Sequence, residues 1–169
     1  MVLDVKDNAW RSIARDDDPQ STDLTVETLQ VEQDQAPGTE HRVAVFVTLT
    51  PEPDRTAFER LVNESTGRFD AAEVVSVASS ERIDPREAAR LSAAVAQQIR
   101  RLSASQGRAE VHLAFHGPYT MAVLVGRHLN TLRTIVYEWD GNTNGGPRYK
   151  PVMTLEPGVT YGPITDVFA

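Results

Sequence analysis

The chain has 169 residues, of which 40% are hydrophobic, 24% charged and 7% aromatic, a composition that suits one soluble domain with a packed core. It holds no cysteine and only four histidines, which excludes disulfide frameworks, thiol nucleophiles, thiolate zinc sites and iron–sulfur clusters; neither a metal nor a cofactor is expected. The formal charge of −7 sits entirely in residues 1–40, with ten acidic residues against three basic ones, while residues 41–169 balance at fourteen of each sign. An acidic chain lacks the basic face that duplex nucleic acid requires, yet the neutral part does not repel a small anion. No apolar run approaches the roughly 20 residues of a membrane span, and no signal sequence opens the chain, so the expectation is a cytoplasmic protein without a membrane partner.

Taken in chain order, the acidic opening reads as weakly structured, with a polar, proline-containing linker at Asp16–Asp23 and a partly alternating strand at 24–31. From Val43 to Leu49 a continuous β-branched run suits a strand buried on both faces. Asp54 is placed to cap a helix through Phe58, Leu61 and Val62 towards Gly67, and Val74–Ala78 is a second buried strand. Asp84-Pro85-Arg86-Glu87 resembles a capping box, and Ala88, Leu91, Val95, Ile99 and Leu102 form one apolar stripe, which predicts a helix over 85–105. Strands then follow at 111–115, 134–139 and 149–155, with a helix from Thr120 to Asn130 whose first turn takes Pro118. The last strand contains Pro151 and is expected at the sheet edge. This alternation implies a Rossmann-like α/β domain over 41–169, a mostly parallel sheet with helices on both faces, preceded by the acidic segment 1–40.

Ligands of such sheets gather outside the carboxyl ends of the strands, where helix N-termini favour phosphate. The residues there are Thr50, Ser79, Ser80 and Thr120 as hydroxyl donors, Arg82 as a phosphate partner, and His116, Tyr119 and Trp139 as stacking rings. Dinucleotide-binding, P-loop, nucleophile-elbow and zinc-protease motifs are all missing. His112 and His116 fall on one strand about 13 Å apart, too far to share a metal; His112 reads as a satisfied sheet histidine, and Arg127 and His128 as partners of a helix C-terminus. No carboxylate pair demands acid–base chemistry, and no catalytic residue is assigned.

Residues 111–155 carry a resemblance. A strand ends in His116-Gly117-Pro118-Tyr119, a helix of small and apolar residues runs to Leu124-Val125-Gly126-Arg127, and then come Asn130, the strand Val136–Asp140 and a Tyr–Pro–Leu strand at 149–155. This order and these residues are similar to the C-terminal part of SAVED domains, sensors of bacterial antiviral systems related in fold to CARF domains. The resemblance implies binding, without turnover, of a cyclic di-, tri- or tetranucleotide, with an effector switched on in response. It carries His116, Gly117, Pro118 and Tyr119 over as pocket residues; Thr50, Ser79, Ser80 and Arg82 follow by loop topology. Residues 41–169 offer room for one of the two halves that such domains usually contain, so a minimal sensor acting through a separate effector or self-assembly is expected. Two alternatives stand beside it: a ring-nuclease-type enzyme using His116 as general acid or base, and a ligand-free scaffold or inhibitor subunit docking through its acidic segment.

Overall fold

The computed structural model describes residues 2–5, 8–11, 24–31, 40–50, 54–64, 68–77, 83–141 and 145–168. The elements in chain order are β1 (Val2–Val5), β2 (Asn8–Arg11), β3 (Leu24–Leu29), β4 (Arg42–Thr48), α1 (Thr56–Asn63), β5 (Ala71–Val77), α2 (Ala88–Ser105), β6 (Glu110–His116), α3 (Tyr119–His128), β7 (Thr134–Asp140), β8 (Arg148–Leu155) and β9 (Ile164–Val167).

β1 and β2 pair antiparallel, with Val2 opposite Arg11 and Val5 opposite Asn8. The other seven strands make one sheet in the order β3-β5-β4-β6-β7-β8-β9. Its centre, β5-β4-β6-β7, is parallel, but β3, β8 and β9 all join antiparallel. The sheet is therefore mixed, which corrects the expectation of a mostly parallel one. A short hairpin connection after β7 allows only antiparallel pairing, because a parallel return needs a crossover of a dozen or more residues.

Within the parallel centre, chain order maps to spatial order as 2-1-3-4. The chain moves outward from β4 to β5, then returns over β4 to add β6 and β7. With crossovers of one hand, that reversal puts the first helix on one face and the next two on the other. The core bears this out. α1 buries Ala57, Phe58 and Val62 against Ala44, Phe46 and Val74, with the Phe46 and Phe58 rings 5.4 Å apart. α2 and α3 bury Leu91, Val95, Ile99, Met121 and Leu124 against Val43, Val45, Val47 and Val111 on the opposite face. At eight residues α1 would be marginal alone, so its apolar side, not its intrinsic propensity, holds it in place.

The start of α2 and the place of β8 differ from the sequence pattern. α2 begins at Ala88 because Asp84 closes a turn ahead of it. Its carboxylate accepts the Arg86 backbone N–H at 2.9 Å and is chelated by the Arg86 guanidinium, and the Glu87 N–H returns to the Asp84 carbonyl. β8 is covered by β9 and is not the edge; Pro151 is tolerated there because the register with β7 shifts between Val136 and Tyr137.

Candidate functional site

The reversal of strand order falls between β4 and β6, so their carboxyl ends flank the crevice where open α/β sheets bind ligands. Pairing continues to the last residue of both strands, with Thr48 opposite His116 and Ser76 of β5 on the other side of Thr48. Paired residues share a face, so Ser76, Thr48 and His116 form a row across three strands on the α1 side. The rows behind it are Val74–Phe46–Ala114 and Ala72–Ala44–His112. The apolar row Val74–Phe46–Ala114 thus gives way at the rim to a row of three hydrogen-bonding side chains.

Thr50 and His116 are brought together: Thr50 Oγ1 and His116 Nδ1 are hydrogen-bonded at 3.2 Å. The Leu49 N–H donates to the His116 carbonyl at 2.8 Å, tying the two strand ends further. Gly117 makes that closeness possible, since a Cβ there would stand 3.0 Å from Leu49 Cβ and 3.3 Å from the Phe115 ring. Pro118 caps α3 from just outside the helix, accepting the Met121 N–H at 2.9 Å, and Tyr119 opens the helix with its side chain 80% exposed. Asp54 takes the Thr56 N–H at 2.9 Å ahead of α1, and that bond lowers its carboxyl pKa.

Thr48 and Ser76 are functional candidates that the sequence reading missed. The available signal was a hydroxyl residue near the carboxyl end of each of two apolar strands, Val43–Thr48 and Val74–Val77. Thr48 is fully buried, and its hydroxyl has no hydrogen-bond partner among the described residues. A buried hydroxyl left unpaired costs about 1–3 kcal/mol.

Trp139 does not join this group. Pairing between β6 and β7 ends at Ala114 and Tyr137, and the indole folds over Gly141, leaving no room there for a Cβ. It lines a separate cavity of about 490 Å³ with Lys150, Val152 and Phe168. Ser79, Ser80 and Arg82 lie outside the described residues.

A cavity of about 680 Å³ opens at the opposite, amino end of the strands, lined by His41, Arg100, Arg133 and Glu110 among others. These charges are already engaged. Arg100 donates to the His128 carbonyl, Arg133 pairs with Glu110 at 3.1 Å and His41 with Asp70 at 3.2 Å. The β4–β6 rim is favoured over this cavity by its place at the reversal of strand order, where open α/β sheets bind ligands. His112 belongs to the same interior network: buried on β6, it donates from Nε2 to Glu110 at 3.1 Å and accepts at Nδ1 from the Tyr137 hydroxyl at 2.9 Å. It is thus a satisfied sheet histidine. Burial lowers its pKa, and the hydrogen bond from His112 lowers that of Glu110.

Comparison with known proteins agrees with this architecture. Residues 2–155 match the family model of SAVED, the SMODS-associated and fused to various effectors sensor domain. The fold is similar to the Acinetobacter baumannii Cap4 SAVED/CARF-domain containing receptor solved with the cyclic trinucleotide 2′3′3′-cAAA, at 19% identity and a TM-score of 0.60 over 89% of this chain. It is equally similar to that receptor solved with 3′3′3′-cAAA, at 20% identity and a TM-score of 0.61 over 85% of this chain. The match covers 31% and 30% of the two receptor chains, so this chain spans less than a third of their length. No curated protein sequence matches it. With the family model covering most of its residues, the chain belongs to the SAVED family of sensor domains.

Proposed function

We propose that the chain is a cyclic-oligonucleotide sensor. It binds a cyclic di-, tri- or tetranucleotide at the carboxyl ends of β4, β5 and β6 without consuming it. The bound state is passed to a separate effector chain, or to its own assembly, in bacterial antiviral defence in the cytoplasm. In this reading residues 41–169 hold the site, and the acidic segment 1–40 contributes β3 to the sheet edge.

The observation that carries the proposal is the polar row Ser76–Thr48–His116 at the reversal of strand order, directly beyond the apolar row Val74–Phe46–Ala114. Hydroxyls and an imidazole suit phosphate and ribose oxygens, and the row contains no carboxylate to repel them. The exposed Tyr119 ring at the start of α3 offers a stacking surface for a base. Thr50, Gly117 and Pro118 shape the same rim; Ser79, Ser80 and Arg82 follow β5 in the chain and are assigned to its lip. Trp139 serves only if the ligand reaches β7. Family membership and the cyclic trinucleotides in the similar receptors support the ligand class.

The test is thermal unfolding against cyclic di-, tri- and tetranucleotides, with the ligand recovered by chromatography afterwards. A ligand at about 100 times its Kd should add roughly 2.7 kcal/mol, or about 5–10 °C for a chain of this size. A shift with one ring, recovered intact, supports a sensor. Linearised ligand would instead make the rim an enzyme site, and a flat panel would overturn the reading.

A further inference from the structure

Among the described residues, the Thr48 hydroxyl is a buried polar group at the rim without a hydrogen-bond partner. The side chain is wholly buried, and it stands opposite His116 in register. Just beyond it, the Thr50–His116 hydrogen bond joins the two strand ends. Valine would fill the same volume and continue the β-branched run Val43-Ala44-Val45-Phe46-Val47 without an unpaired polar atom. Resting on the sensor reading above, we infer that the Thr48 hydroxyl is reserved for the ligand and donates to a phosphate oxygen, the Thr50–His116 bond parting to admit it. A phosphate oxygen is the partner that fits because the neighbours in the row, Ser76 and His116, can each donate a hydrogen bond to it and none is acidic. His116, released from Thr50, then turns its imidazole to the same anion.

The experiment uses the full chain with Thr48→Val and Thr48→Ser, titrated with cyclic di-, tri- and tetranucleotides beginning with 2′3′3′-cAAA and 3′3′3′-cAAA. Thr48→Val should melt at or above the wild-type temperature while binding at least about tenfold more weakly, as expected for a lost hydrogen bond to a charged group. Thr48→Ser, which keeps the hydroxyl, should bind within about threefold of wild type. A Thr48→Val protein that melts several degrees lower would show that the hydroxyl supports the fold, through an ordered water for example, and would overturn the inference. A Thr48→Val protein that binds like wild type would overturn it too, leaving the sensor reading intact. If the wild type binds no member of the panel, the sensor reading and this assignment fall together.

Discussion

Two histidines stand four residues apart on β6, and burial separates their roles. His116 is exposed at the rim, whereas His112 is enclosed between Glu110 and Tyr137, with the Phe69 ring edge-on at 4.9 Å. Burial holds the His112 pKa below its ordinary 6.5, so as pH falls through that value the unfolded chain takes up a proton that the folded chain resists. Glu110 adds a loss of the same sign at lower pH, since its pKa is lowered by the His112 hydrogen bond. Its contribution is present above the ordinary carboxylate value and vanishes as pH drops through the folded one. The melting temperature should therefore fall from pH 7 to pH 5. His112→Phe should flatten that slope while costing about 1–3 kcal/mol at pH 7 by stranding the Tyr137 hydroxyl. A variant with the wild-type slope would place the acid sensitivity elsewhere. His112 could be read from sequence because a histidine inside an apolar strand must find partners. Thr48 was harder to read, because its one signal was its place near the carboxyl end of an apolar strand, where a threonine reads first as a β-branched strand former.

At the level of elements, the helices were more legible than their ends. The stripe Ala88, Leu91, Val95, Ile99 and Leu102 is buried throughout, as its spacing requires, yet α2 starts three residues after Pro85. The Asp84 side chain spends its oxygens on the Arg86 N–H and guanidinium, so it closes a turn ahead of the helix. The β6–α3 junction depends on a single atom that is absent. Gly117→Ala would push a methyl group against Leu49 and Phe115 and force β4 and β6 apart at the rim. The expected cost is about 1–3 kcal/mol by denaturant unfolding, with ligand binding weakened in parallel. An alanine variant as stable as wild type would mean that Leu49 and Phe115 move aside freely.

Over the whole molecule, the sheet has two different edges. β3 closes one end; β9 forms the other with four exposed residues, and Val167 is 77% exposed beside Ile164 and Phe168. Open edges of this kind invite pairing with another chain, and a lysine commonly blunts them. Val167→Lys should change stability by no more than about 0.5 kcal/mol while lowering self-association in sedimentation at high concentration. Unchanged sedimentation would rule this edge out as a contact surface. By itself the sequence determined the α/β class, the core strands and helices, helices on both faces, and Thr50, His116 and Gly117 as rim residues. Those properties follow from local periodicity and from loops that must follow strands. The antiparallel entry of β3, β8 and β9, the place of Pro151 at a register shift, the separation of Trp139 and the row Ser76–Thr48–His116 were decided only by tertiary structure. Each depends on which strand lies beside which and in what register, and those are pairings between residues distant in the chain that no local pattern records.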